Sequence, residues 1–210
     1  MNLMSSKQHW NGAYEEGGAS DVSWYQSRPE VSLRLIRASN PFLERSIIDI
    51  GGGASTLADC LLDDGYRSVA VLDLSGSALR FAQERLGSRS QCVEWFEADV
   101  TSFTPARQYH VWHDRAVFHF LVAETEREAY IAAMRRALVM GGDVIIATFA
   151  SDGPEKCSGL PVRRYDEAMI AAELGTDFQL ESANREVHVT PWHSEQRFAY
   201  FHFKYLPGRA

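Results

Sequence analysis

Ile47-Ile48-Asp49-Ile50-Gly51-Gly52-Gly53-Ala54-Ser55-Thr56 decides how this chain folds. A short apolar run carrying one acid, Asp49, breaks into three glycines and then into the start of a helix. A side chain at Gly51 or Gly53 would hold a ligand off the backbone, so bare backbone here permits close approach. The next two apolar runs also end in acids: SVAVLDLS in Asp73 and VEWFEADV in Asp99. Acids at three successive strand ends point to a nucleotide-like ligand lying across the carboxyl edge of a parallel sheet.

Working outward, the pattern alternates. A strand over 46–50 leads to a helix over 54–65, and a strand over 68–73 to a helix over 76–86. A strand over 91–96 runs into an irregular stretch through Pro105. A strand over 109–114 precedes a helix or helices over 117–139, and Gly141-Gly142 introduces a strand over 143–149. This order predicts an α/β fold, a Rossmann-like doubly wound sheet, mostly parallel with helices on both faces. After a polar loop and a helix over 166–174, extended runs at 178–190 and 194–206 predict a C-terminal antiparallel hairpin on one sheet edge. Upstream, Pro29 suits the first turn of a helix reaching Ser39. Polar residues 1–28 with scattered aromatics predict a short helix and a loop. With no linker in view, residues 1–210 read as a single domain, with a lid and helical segment at 1–40 and a core at 46–210.

The bulk numbers exclude several classes. The net charge of −7 argues against a nucleic-acid partner, which needs a basic face. Cys60, Cys92 and Cys157 form no CxxC, which argues against a disulfide framework and fits a reducing, cytoplasmic setting. The seven histidines lack metal-ligand spacing, so no metal is expected. The apolar runs are shorter than the ~20 residues that span a bilayer, so no membrane partner is expected. Oligomeric state is not readable.

The glycine pattern narrows the ligand. The third glycine of a G-x-G-x-x-G dinucleotide fingerprint is replaced by Thr56, so the pyrophosphate version is incomplete. A ligand without phosphate, carrying a positive centre and an amino-acid group, suits Asp49 better. A nicotinamide oxidoreductase is therefore the weaker reading.

The order DIGGG, LDLS, EADV, then DR before a helix, then GG before a final strand resembles the class I S-adenosylmethionine-dependent methyltransferases. The resemblance implies that Gly51, Gly52 and Gly53 pass beneath the methionine part of the cofactor, with Asp49 near its amino group. It implies that Asp73 accepts the ribose hydroxyls, Leu74 packs on the adenine, and Asp99 and Val100 meet the adenine edge. His113 and Asp114 would line the pocket beside the transferred methyl. VWHDRAVFHF, REAYIAAMRRAL and CSGLP are similar to the thiopurine and thiol methyltransferase branch, although Leu160 stands where that branch has the first of two prolines. This implies a small-molecule acceptor, a thiol or other soft nucleophile. Protein-lysine methyltransferases of the same fold carry a similar D-K-G, so that acceptor stays open. So does a cofactor-binding protein without catalysis.

Candidate catalytic residues are Asp114, His119 and His113, histidine being suited to a general base near neutrality. Trp24 and Tyr25, with Trp10 and Tyr14, are candidates for an aromatic lid facing a sulfonium. Plainer roles compete: Asp73 and Asp99 as caps, Asp114 paired with Arg115, His119 at a helix start, and the aromatics as a core plug. Cys157 reads as a passive surface thiol.

Overall fold

The computed structural model describes residues 3–17 and 21–208. The helices are α1 (Leu3–Gly17), α2 (Glu30–Ser39), α3 (Leu57–Asp63), α4 (Gly76–Leu86), α5 (Glu124–Ala137) and α6 (Glu167–Leu174). The strands are β1 (Ile47–Ile50), β2 (Val69–Asp73), β3 (Val93–Glu97), β4 (Tyr109–Arg115), β5 (Leu138–Phe149), β6 (Lys156–Cys157), β7 (Leu160–Pro161), β8 (Phe178–Val189) and β9 (Glu195–Tyr205). One seven-stranded sheet runs in the order β3-β2-β1-β4-β5-β9-β8, and β6 and β7 form a small separate ladder. The first five strands pair in parallel, while β9 and β8 add on antiparallel. The expected doubly wound sheet with its terminal hairpin is the observed fold.

Alternation along the strands builds two cores. Ile48, Ile50, Ala70, Leu72, Trp112, Val144 and Ile146 face α5 and α6, meeting Tyr130, Met134, Ile170 and Leu174. Ile47, Val69, Val71, Val111 and Ile145 face the other way, onto Leu33 and Ile36 of α2 and Leu57 and Leu61 of α3. The strand order reverses between β1 and β4, which opens a crevice at their carboxyl ends.

Three boundaries differ from the sequence reading. The helical stretch expected over 117–139 comes as two pieces, a 3-10 turn at Phe118–Phe120 and then α5, split where Ala123 is extended (φ −80°, ψ 139°). The carboxylate of Asp114 holds the first turn, and the side chain of Glu126 restarts helix by accepting from the Ala123 N–H at 3.3 Å. Strand β5 begins at Leu138 because a bulge absorbs the extra residues: Tyr109 pairs with Leu138, but Val111 pairs with Asp143. Finally, α1 is a 15-residue helix that passes through Gly12.

Candidate active site

The glycine turn after β1 is dictated by what crowds it. Gly51 and Gly53 have φ of +67° and +32°, values that disfavour side chains. A Cβ at Gly51 would strike Val117, one at Gly52 would strike the Asp49 carboxylate, and one at Gly53 would stand 2.6 Å from Asp73 Oδ2. The turn thus lets two acids lie directly against bare backbone.

Asp49 and His113 are register partners on adjacent strands, so their side chains share a face. His113 Nδ1 lies 2.6 Å from Asp49 Oδ1, and its Nε2 lies 2.9 Å from the hydroxyl of Ser32 on α2. All three are buried. They line a cavity of about 50 Å³ together with Gly51, Gly52, Tyr14, Trp24, Tyr25 and Arg115.

A second cavity, of about 400 Å³, lies beside it. Asp73, Leu74, Asp99 and Val100 line it, as do Trp10, Phe120, Leu121, Val122, Leu160 and Pro161. One oxygen of Asp73 accepts the Ser75 N–H at 2.7 Å. Burial pushes this carboxyl up to about 7, against the lowering effect of the backbone N–H groups it accepts from. Asp99 uses Oδ1 to cap the next turn through the N–H and hydroxyl of Thr101, at 2.8 and 2.7 Å. Asp99 therefore caps and lines the cavity at once, whereas the cap of α4 is Ser75, whose hydroxyl accepts the Ala78 N–H, and Asp73 holds the turn before it.

Tyr14, Trp24, Ile50, Gly51 and Arg115 line both cavities and mark their junction. Trp24 donates its indole N–H to the Tyr14 hydroxyl at 3.0 Å. Burial, then the nearby Asp73, pushes the Tyr14 phenol upward, so it stays neutral. Arg115 donates to Tyr200 Oη and to the Trp24 carbonyl, both at 3.0 Å, and stacks 4.4 Å over Phe198. Its buried Nη2 makes no hydrogen bond, and Glu186 stands 3.8 Å away.

Two expected catalytic side chains turn elsewhere. Asp114 accepts from the Val117 and Phe118 N–H groups at 2.8 and 3.0 Å and from Tyr130 Oη at 2.6 Å. With its oxygens so engaged, it lines neither cavity and shapes the turn over Gly51 instead. His119 is buried, accepts from the Phe149 N–H at 3.3 Å, and packs between Phe120 and Phe149, outside both cavity walls. Burial, reinforced by Arg115, lowers it to about 3, which leaves it neutral and a poor base. Cys157 is not a surface thiol: it is buried, lines the larger cavity, and is pushed up to about 11 by burial. Gly53 lines neither cavity; it backs Asp73.

Sequence reasoning missed Ser32, Arg115 as the junction cation, and the Tyr14–Trp24 bond. Arg115 carried a readable signal, since it ends a strand beside the glycine turn. Ser32 carried none, because it meets His113 only through the packing of α2 on the sheet.

Residues 47–142 match the family described as Methyltransferase domain. That stretch, a little under half of the chain, is similar to a methyltransferase domain and includes the glycine turn with Asp49, Asp73 and Asp99. The mouse (Mus musculus) eEF1A lysine and N-terminal methyltransferase is 25% identical over 164 residues, covering 71% of this chain. The match covers 23% of that relative, so this chain spans under a quarter of its length. Among solved structures, one described as "Conversion of a Disulfide Bond into a Thioacetal Group during Echinomycin Biosynthesis" superposes with a TM-score of 0.75 at 16% identity, covering 97% of this chain and 93% of that one. The Burkholderia thailandensis 1,6-didemethyltoxoflavin-N1-methyltransferase, with bound 1,6-didemethyltoxoflavin and S-adenosylhomocysteine, gives 0.68 at 18% identity, covering 97% and 85%. At these identities the structures share the fold. No helix among the described residues is long and apolar enough to cross a membrane, and no group of three or more His, Cys, Asp or Glu is placed to hold a metal.

Proposed function

We propose that the chain binds S-adenosylmethionine along the Gly51–Gly53 turn and methylates a small-molecule acceptor. The observation that carries this is the pair of cavities meeting at Tyr14, Trp24, Gly51 and Arg115, one reaching Asp49 and the other Asp73. The smaller cavity suits an amino-acid end, with Asp49 facing its amino group. The larger suits a nucleoside, with Asp73 accepting from ribose hydroxyls, Leu74 against the base, and Asp99 and Val100 at its edge. When bound, S-adenosylmethionine supplies an electrophilic methyl on a positively charged sulfur.

The chain's own task is then alignment and exclusion of water. Well-aligned groups reach effective molarities of ~10⁵–10⁸ M, which makes positioning a large share of catalysis. Trp24 and Tyr14 cover the junction with aromatic faces, a favourable surface for a cation. Among the described residues at the junction Tyr14 stays protonated, and Asp114 and His119 are engaged outside both cavities. This favours an acceptor that arrives with its lone pair available, as a thiolate or an unprotonated nitrogen does. The apolar lining of Trp10, Phe120, Leu121, Leu160 and Pro161 favours an apolar, flat molecule. The toxoflavin-type acceptor of the Burkholderia enzyme supports this reading.

A second reading, protein-lysine methylation, is favoured by the eEF1A methyltransferase relatives. Incubation with labelled cofactor separates the two. Label transferred to a panel of thiols and heteroaromatic amines supports the first; label confined to protein bands of a lysate supports the second and overturns the first.

A further inference from the structure

Ser32, His113 and Asp49 form a buried hydrogen-bonded chain that ends on the glycine turn. Ser32 Oγ lies 2.9 Å from His113 Nε2, and His113 Nδ1 lies 2.6 Å from Asp49 Oδ1. The other Asp49 oxygen, Oδ2, rests against Gly52, where any Cβ would collide with it. One carboxylate oxygen is thus held from behind while the other faces the backbone of the turn.

Where Asp49 is a carboxylate it can only accept, so His113 Nδ1 carries the ring proton and donates to it. The Ser32 hydroxyl, able to donate or accept, then meets Nε2 as a donor. The rotamer of Asp49 is then fixed by a partner anchored on α2. Asp49 also lines the smaller cavity, where an incoming ammonium group can meet its carboxyl. His113 sets the direction of Asp49 and Ser32 braces His113, although neither has to touch the reacting atoms.

We infer that His113 and Ser32 are positioning residues that aim Asp49 Oδ2 at the amino group of the cofactor's methionine end. The inference rests on the proposal that Asp49 receives that group. It requires that disturbing the chain weaken ligands that carry the amino-acid end and spare those that lack it. S-adenosylhomocysteine and 5′-methylthioadenosine differ in this way and share the nucleoside.

Calorimetry with both ligands tests it on wild type, His113→Leu, His113→Asn, Ser32→Ala and Asp49→Asn. His113→Leu is expected to weaken S-adenosylhomocysteine by roughly tenfold or more, the loss of one charge-assisted hydrogen bond, while methylthioadenosine binds as before. His113→Asn places an amide N–H where Nδ1–H was and is expected to restore most of the affinity. Ser32→Ala is expected to weaken S-adenosylhomocysteine less than His113→Leu does. Equal weakening of both ligands by His113→Leu would mean a merely structural role and overturn the inference. If Asp49→Asn also leaves S-adenosylhomocysteine binding unchanged, the placement of the amino-acid end itself fails.

Discussion

Trp24 donates its indole N–H to the Tyr14 hydroxyl across 3.0 Å, tying α1 to the loop before α2 directly above the junction of the two cavities. Trp10 extends the cover, with its ring 5.7 Å from Trp24 and 4.9 Å from Phe120. These contacts form a roof built from residues distant in sequence.

Tyr14→Phe removes the acceptor and leaves the indole N–H unpaired. The expected cost is about 1 kcal/mol, or roughly fivefold in the Kd for S-adenosylhomocysteine. Calorimetry measures it. An unchanged Kd would show that the bond does not hold the roof over the ligand.

With Asp73 placed at the ribose, cofactor binding is expected to depend on pH. The Asp73 carboxyl is raised to about 7 by burial, above its unfolded value of about 3.9. The folded protein therefore holds a proton that the unfolded chain releases. The stability this contributes is full below the unfolded pKa and is lost as pH rises through about 7. Ribose hydroxyls donate best to the ionised form, so S-adenosylhomocysteine affinity is expected to rise between pH 6 and pH 8. Asp73→Asn should bind more weakly and show a flat profile. A wild-type profile that falls over this range would contradict the ribose assignment.

Much of this layout was legible before any coordinates. The apolar runs closing on Asp49, Asp73 and Asp99 gave the strand ends, because a parallel sheet buries its strands and leaves only their tips polar. The glycine turn was legible for the same reason that it is tight: each missing Cβ makes room for a neighbouring group. The roles of Asp114 and His119 were not legible. Both look like chemistry in the string VWHDRAVFHF, yet the turn after β4 folds Asp114 back onto its own backbone and packs His119 under Phe149. Local sequence does not reveal which way a polar side chain turns when a tight turn follows it. Nor does it reveal that α2 delivers Ser32 to His113, a contact between residues 81 positions apart.

Asp114→Ala tests the structural assignment. It strands two backbone N–H groups and the Tyr130 hydroxyl without their acceptor. At ~1–3 kcal/mol for each buried unpaired group, a loss of at least about 3 kcal/mol is expected by urea denaturation. Asp114→Asn keeps one acceptor oxygen and should lose less, with S-adenosylhomocysteine affinity of the folded protein little changed. Full stability with abolished methyl transfer would restore a catalytic role.

His119 predicts an acid-sensitive term of opposite sign to that of Asp73. Its folded value is lowered to about 3 by burial, below its ordinary 6.5. Stability is therefore unaffected above about 6.5 and lost as pH falls toward 3, since only the unfolded chain takes up the proton. His119→Leu should be less stable at pH 8 and lose less on going to pH 4.5 than wild type does, read as Tm by calorimetry. An equal acid loss in both proteins would place the titrating group elsewhere.

A crystal structure with S-adenosylhomocysteine tests the central claim most directly. The account predicts the ribose hydroxyls within hydrogen-bond reach of Asp73, the amino group on Asp49, and the sulfur beneath Tyr14 and Trp24. A nucleoside seated away from Asp73, or a crystal that takes up none, would contradict it.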